Sequence, residues 1–263
     1  MSLYWTPGKR IKRLPRFLWY PAIVVKNIFY IIRLGSLTQQ VSYSHREAEV
    51  KLALGVEYVC GCLVPGDIAE FGTAAGNTAK IIAKAMKRVD NERQKKFHLF
   101  DSFQGLPKAV NEIDINSPMV RHGDWQEGVF LALDKIALKK MMCKYLPAAN
   151  IVIYDGWFSE TLKTIAPDVK FSMVHIDSDL YQSAVEILDY IFGQSVVQEG
   201  AIIFFDDYNG NYASPNLGER KAWSETITKY LINYSDAGDY GAGSKKFIIH
   251  GYKNKYEQIG VIN

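Results

Sequence analysis

The chain of 263 residues contains only three cysteines, Cys60, Cys62 and Cys143. Such a small, odd number indicates a reducing compartment and argues against a disulfide framework. Cys60 and Cys62 are too close in sequence for an ordinary disulfide, and no matching His/Cys pair accompanies them as a zinc site would require. We therefore expect these thiols to be buried structural side chains.

The chain also lacks a hydrophobic run long enough to cross a membrane. Its most apolar stretch, residues 17–32, is interrupted near its middle by Lys26. It falls short of the ~20 apolar residues that a spanning helix needs. No small-residue cleavage site follows, so we expect no signal peptide.

Acidic residues are absent from the N-terminus. Residues 1–46 hold eight basic side chains and no acid, and because the whole chain carries +3, residues 47–263 carry −5. An acidic body argues against nucleic-acid binding. The mixture of Trp, Tyr and Phe with basic residues fits a segment on an anionic membrane surface. It fits equally well a helical arm that covers the main domain or a partner subunit.

We therefore divide the chain into an N-terminal arm, residues 1–40, and a main domain, residues 41–263. The expected location is the cytoplasm, with peripheral contact through residues 1–35 at the inner face of the membrane. An exposed apolar arm also favours a homo-oligomer.

From residue 41 onward, strand and helix patterns alternate, which is typical of βαβ units and a mostly parallel sheet. Helical patterns lie at 46–63, 77–89, 129–144, 181–196 and 216–233, and a long loop at 103–125. Short apolar runs predict seven strands, at 67–71, 97–100, 151–154, 171–177, 201–205, 246–250 and 258–261.

Acidic residues follow two of the predicted strands. Asp177 ends the run that begins at Phe171, and Asp206 and Asp207 end the run that begins at Ala201. In an open α/β sheet, ligands bind outside the carboxyl ends of the strands. Three carboxylates in one small volume repel each other unless a cation lies between them, so the pattern predicts a divalent metal with hard oxygen ligands.

A glycine turn joins the first predicted strand to the first helix. It reads Gly72-Thr-Ala-Ala-Gly76, which lacks the G-x-G-x-x-G fingerprint for a dinucleotide pyrophosphate. This looser turn suits a ligand without phosphates, such as S-adenosylmethionine. Glu70 could meet its ammonium group directly or through water, and Asp101, at the end of the second strand, could accept bonds from both ribose hydroxyls.

Several longer strings resemble one family. Glu-x-Gly-x-x-x-Gly from Glu70, Asp-Ser-Phe-Gln-Gly-Leu-Pro from Asp101, and Gly-Trp-Phe from Gly156 are similar to segments of the macrocin O-methyltransferase family of class I methyltransferases. Ile-Asp-Ser-Asp-Leu-Tyr around Asp177 and Phe-Asp-Asp-Tyr around Asp206 are similar to its metal motifs. The resemblance covers about residues 65–235.

The resemblance implies a Rossmann-like class I methyltransferase fold, in which a central, mostly parallel seven-stranded sheet has helices on both faces. It implies S-adenosylmethionine as methyl donor, Mg²⁺ or a similar divalent cation, and a sugar hydroxyl of a small-molecule or glycoside acceptor. Asp177, Asp206 and Asp207 would be the metal ligands. The cofactor pocket would hold Glu70, Gly72, Thr73, Gly76, Asn77, Thr78, Asp101, Ser102, Gly156 and Trp157.

The general base is open at this point. Asp177 or Asp179 could take the proton of the acceptor hydroxyl, and His122 on the long loop is another candidate. The structural alternatives are that His122 only caps a loop and that Asp179 is the N-cap of the next helix. His175 is expected to be a hydrogen-bonded core residue.

Two other functions compete. Asp177-Ser178-Asp179 is literally Asp-x-Asp after an apolar strand, a pattern that a metal-dependent glycosyltransferase could use. Against this, Glu70 and Asp101 would repel a sugar diphosphate. The second alternative is a non-catalytic nucleotide-binding scaffold at a membrane, against which the acids at four strand ends argue.

Overall fold

The computed structural model describes residues 38–90, 94–130 and 133–253, with side chains from residue 47 onward. The chain divides into two compact units, Met1–Ser44 and His45–Asn263. All but the last three residues of the expected arm, and the whole strand predicted at 258–261, lie outside the described residues. The division at residue 40 therefore stays a prediction.

A seven-stranded sheet forms the centre of the unit His45–Asn263. Its order is β3-β2-β1-β4-β5-β7-β6, in which the first five strands are parallel and the last two pair antiparallel. This confirms the predicted fold class. The strands are β1 (Asp67–Phe71), β2 (Phe97–Asp101), β3 (Ile151–Asp155), β4 (Phe171–Ile176), β5 (Val197–Phe205), β6 (Asn233–Asp239) and β7 (Lys245–Gly251).

One described helix precedes β1 and the others lie in the connections between the strands. They are α1 (Thr38–Gly61), α2 (Asn77–Val89), α3 (Glu112–Ile115), α4 (Pro118–His122), α5 (Lys135–Met142), α6 (Phe158–Thr161), α7 (Tyr181–Gly193), α8 (Gly210–Ala213) and α9 (Gly218–Tyr230). Short 3-10 turns occupy Ala148–Asn150 and Leu162–Thr164. None of these described helices combines the length and apolarity that crossing a membrane requires.

Buried aromatic and branched side chains explain the sheet. The five residues of β2 and the six of β4 are all buried, as expected for central parallel strands covered on both faces. The rings of Phe71, Phe100 and Tyr154 stack across β1, β2 and β3, with centroids 4.5 Å and 4.1 Å apart. Because these strands run parallel in a level register, their carboxyl ends share one edge of the sheet.

Three local expectations were wrong. The predicted loop at 103–125 contains α3 and α4, whose N-caps Asn111 and Ser117 accept bonds from backbone N–H groups. A strand, β6, follows the last helix where none was predicted. The cysteines are not all buried, because Cys62 and Cys143 are exposed.

Candidate functional site

A cleft of about 990 Å³ opens at the carboxyl edge of the sheet. Its walls include the turn after β1 and the acids that follow β4 and β5. Twelve residues predicted for the site line this cleft: Gly72, Thr73, Asn77, Thr78, Asp101, Ser102, Gly156, Trp157, Asp177, Asp179, Asp206 and Asp207.

Asp177, Asp206 and Asp207 meet in the wall of the cleft. Each offers a carboxylate oxygen, and these oxygens all lie within 4.8 Å of one another. The register places Ile176 beside Phe205, so the ends of β4 and β5 are level and their next residues converge. Half-buried hard oxygen donors in this spacing fit a Mg²⁺-type cation.

The electrostatics of the three acids agree with that fit. Burial, together with the charges of Asp206, Asp179 and Asp207, raises the pKa of Asp177 well above its usual range. Burial and the Asp206 charge raise the pKa of Asp207 to about 7. Bringing these carboxylates together without a cation is therefore costly, and a bound divalent ion would remove the repulsion.

The pKa of Asp206 differs from those of Asp177 and Asp207, because neighbouring basic and hydroxyl groups stabilise its negative charge. Burial opposes ionisation, but His175, Tyr240 and Ser244 lower the pKa of Asp206. The Tyr240 hydroxyl donates to Asp206 Oδ1 at 2.9 Å. Tyr240 is fully buried and reaches the site from the connection between β6 and β7, so the antiparallel strands complete the wall behind this acid.

Gly72 has a structural reason to be glycine. Its φ is +84°, and a Cβ there would lie 1.9 Å from the carbonyl oxygen of Asp177. Asp177 N donates to Phe71 O at 2.9 Å. The turn after β1 and the start of the metal motif are thus in direct backbone contact, which only a residue without a side chain permits.

Asp101 holds the turn after β1. Its Oδ2 accepts bonds from Thr73 N at 2.8 Å, Thr73 Oγ1 at 3.1 Å and Ala74 N at 2.9 Å. Its Oδ1 accepts one bond, from Phe103 N at 2.7 Å. A carboxylate has about four lone-pair sites, so the side chain that shapes the turn keeps limited capacity, at Oδ1, for a ligand hydroxyl.

Glu70 and Gly76 lie outside the cleft lining. Glu70 is fully buried behind the turn, and its Oε1 is 3.0 Å from His175 Nδ1. His175 Nε2 is 3.1 Å from the Tyr240 hydroxyl, which confirms His175 as a hydrogen-bonded core residue. Gly76 begins α2 against Met141. The expected direct contact of Glu70 with a ligand ammonium is not favoured by this placement.

Asp179 lines the cleft but does not cap the next helix, so the N-cap alternative was wrong. Its φ is +58°, and Leu180 is the N-cap residue of α7. Asp114 of α3 binds the first backbone N–H groups of α7. Its carboxylate accepts from Tyr181 N at 2.8 Å and Gln182 N at 3.1 Å. Asp179 is thereby left facing the acids, and burial with the Asp207 charge raises its pKa.

His122 is not brought to the site. It is exposed at the end of α4, its ring centroid lies 6.2 Å from that of Tyr212, and it is not among the described residues that line the cleft. The structure therefore favours Asp179 over His122 as the candidate base, because only Asp179 lines the cleft with the three acids.

Sequence reasoning missed Glu219 and Tyr240. Glu219 is fully buried in the first turn of α9, and its Oε2 accepts from Asp207 N at 3.0 Å. An acid directly after Gly218 at a helix start was the available signal. Tyr240 gave none, because it lies in a polar hairpin connection.

Comparison with protein families decides the assignment. The family model for macrocin-O-methyltransferase (TylF) matches residues 45–229. The chain belongs to this family. The matched residues contain every side chain predicted for the site, and the macrocin-O-methyltransferase family leaves the glycosyltransferase and scaffold alternatives without support.

Curated relatives match this chain over a shorter stretch than the macrocin-O-methyltransferase family model does. Demethyldecarbamoylnovobiocin O-methyltransferase of Streptomyces niveus is 30% identical over 155 residues, 58% of this chain and 56% of that protein. Mycinamicin III 3''-O-methyltransferase of Micromonospora griseorubida is 26% identical over 146 residues, 55% of this chain and 56% of that protein. The chain thus spans a little over half the length of these relatives.

Solved structures agree on the fold. The O-methyltransferase NovP superposes with a TM-score of 0.65 at 22% identity, over 78% of this chain and 80% of that one. CalS11, a calicheamicin methyltransferase, gives a TM-score of 0.62 at 18% identity, over 94% and 99% of the two chains.

Proposed function

We propose that this chain is an S-adenosylmethionine-dependent O-methyltransferase that uses a divalent cation and methylates a hydroxyl of a sugar-bearing small molecule. The observation that carries the proposal is one cleft lined both by the glycine turn with Asp101 and by Asp177, Asp206 and Asp207. A methyl donor bound by the first group and a hydroxyl acceptor bound by the second would meet inside it.

The class of acceptor is inferred from the relatives. One of them, from Streptomyces olivaceus and 26% identical over 160 residues, is named for 4'-O-methylation of a rhamnosyl-bearing tetracenomycin. A glycoside, or a sugar precursor of a surface polysaccharide, fits a cleft of this size better than a macromolecule does.

The residues of the cleft would have different roles in the reaction. Gly72, Thr73, Asn77, Thr78, Ser102, Gly156 and Trp157 would surround the methyl donor, with the ribose next to Asp101. Asp177, Asp206 and Asp207 would hold the cation, which would act as a Lewis acid and lower the pKa of the acceptor hydroxyl. The Asp179 carboxylate would accept the hydroxyl proton, and holding both reactants in one cleft supplies much of the rate.

Calorimetric titration with S-adenosylhomocysteine tests the class, with and without Mg²⁺, on the wild-type chain and on Asp206→Ala. We expect micromolar binding to both proteins, because Asp206 belongs to the proposed metal site and not to the residues expected around the methyl donor. Methyl transfer should require Mg²⁺ and fail in Asp206→Ala. Absence of S-adenosylhomocysteine binding to the wild type under every condition would contradict the proposal.

We also propose that residues 1–35 give peripheral membrane contact, and that the enzyme acts as a homo-oligomer at the cytoplasmic face. The support is the basic and aromatic composition of this segment. Full-length chain should sediment with phosphatidylserine-containing vesicles and a chain without residues 1–35 should not. Equal recovery of both chains, with unchanged assembly, would disprove the role of the arm.

A further inference from the structure

Glu219 connects the two turns that carry the three acids. Its Oε1 accepts from Ser178 N at 3.2 Å and from Ser178 Oγ at 3.3 Å, and its Oε2 accepts from Asp207 N at 3.0 Å. Ser178 follows one proposed metal ligand, and Asp207 is another. A single carboxylate therefore bridges the turn after β4 and the turn after β5.

The bridge is built on a rigid element. Trp223, four residues after Glu219, lies on the same face of α9 and is only 1% exposed. Its ring lies 5.4 Å from that of Phe205 and 5.1 Å from that of Phe247. The side chain that anchors α9 in the core thus fixes the height of the Glu219 carboxylate above the ends of β4 and β5.

All the hydrogen-bond partners of Glu219 donate to its carboxylate. No Lys, Arg or His among the described residues forms an ion pair with it, and two of its three bonds come from backbone N–H groups. The start of α9 adds a favourable helix dipole. A fully buried acid with this environment serves as an acceptor for both turns, and it does not line the cleft.

We infer that Glu219 is a positioning residue for the divalent cation, which sets the separation of Asp177 from Asp206 and Asp207 without touching the cation itself. The inference rests on the proposed metal site. Glu219→Gln keeps the size of the side chain but replaces one acceptor oxygen with an NH₂ group. One turn then loses its acceptor, and its backbone N–H faces another donor.

The test measures Mn²⁺ binding to the full chain in the absence of methyl donor. Electron paramagnetic resonance detects the ion that stays free. We expect Glu219→Gln to weaken Mn²⁺ binding at least about tenfold, as is typical when a partner of a metal ligand is removed. S-adenosylhomocysteine affinity should change less than about twofold, and added Mg²⁺ should restore kcat, since the fault lies in metal occupancy.

Glu225→Gln is the matched control, because it makes the same charge change on the same helix at an exposed side chain. It should bind Mn²⁺ like the wild type. If Glu219→Gln does not fold, Glu219→Asp keeps the carboxylate but shortens its reach, and the same loss is expected.

Two outcomes would overturn the inference and are distinguishable. Wild-type Mn²⁺ affinity in a folded Glu219 variant would remove the positioning role and leave the proposed function intact. Absence of Mn²⁺ binding to the wild type would remove the metal site itself, and the positioning role with it.

Discussion

At the residue scale, Asp179 and His122 compete for the role of base. Asp179 lines the cleft beside Asp207, whereas His122 is exposed at the end of α4. We expect Asp179→Asn to lower kcat by about 10²- to 10⁴-fold, the usual contribution of a general base, without weakening S-adenosylhomocysteine binding. His122→Ala should remain within about twofold of the wild type. The reverse pattern would return the role to His122.

Gly72 allows a second prediction at this scale. Alanine at this position would have to adopt a positive φ and would place its Cβ against the carbonyl oxygen of Asp177. We expect Gly72→Ala to destabilise the fold by more than ~1 kcal/mol in urea unfolding and to abolish Mn²⁺ binding, because Asp177 must move.

Gly128→Ala is the control that separates backbone strain at a positive φ from the clash of a Cβ with Asp177. Gly128 has a φ of +77°, but a Cβ there would meet nothing within 4 Å. This variant should lose stability and keep Mn²⁺ binding. If both variants bind the ion equally, the contact between the turn and Asp177 does not matter to the site.

At the element scale, Asp114 joins α3 to the start of α7. Because its carboxylate takes the N–H groups of Tyr181 and Gln182, Asp114→Ala should cost about 0.5–2 kcal/mol, as the loss of a helix cap does. It should also raise KM for the acceptor, since α3 borders the cleft.

Asp134→Ala is the comparison for that prediction. Asp134 caps α5 within its own segment, through Ala137 N at 2.8 Å. Its loss should lower stability in thermal unfolding and leave KM unchanged. An unchanged KM in Asp114→Ala would show that α3 does not shape the acceptor side.

The elements differ in how far the sequence predicts them. β1 to β5 were evident because buried parallel strands are continuous apolar runs. β6 was missed because its sequence, Asn-Tyr-Ser-Asp-Ala-Gly-Asp, is polar and largely exposed. Edge strands carry such residues, which discourage pairing with other chains, so only its pairing with β7 identifies it.

The residues of the site also differ in how far the sequence predicts them. Asp177, Asp206 and Asp207 follow from strand ends alone, because parallel strands bring their carboxyl ends together. Glu219, Asp114 and Tyr240 could not be placed, since each depends on where a distant helix or hairpin packs. The role of Glu70 stays a prediction, because sequence does not tell which face of the strand end its side chain occupies.

At the scale of the whole molecule, the cation should contribute to stability. Adding Mg²⁺ to 100 times its Kd should stabilise the fold by about 2.7 kcal/mol at pH 7.5. At the same Mg²⁺ concentration the increase should be smaller at pH 5.5, because the pKa of Asp207, about 7 against an ordinary 3.8, keeps that group protonated there in the metal-free protein. The ion must then displace a proton.

Thermal unfolding with and without Mg²⁺ at both pH values checks this. The double variant Asp206→Ala, Asp207→Ala should show no shift. A shift of equal size at both pH values, or one that persists in the double variant, would mean that the ion binds elsewhere.

The antiparallel hairpin of β6 and β7 has a consequence for biosynthesis. Tyr240, which supports Asp206, and Phe247, which packs on Phe205, follow Asp177, Asp206 and Asp207 in the sequence. During translation, the three acids therefore leave the ribosome before the groups that hold them in place. The nascent chain can gain little from a cation until β7 has been synthesised, so capture of the ion should follow synthesis of the hairpin.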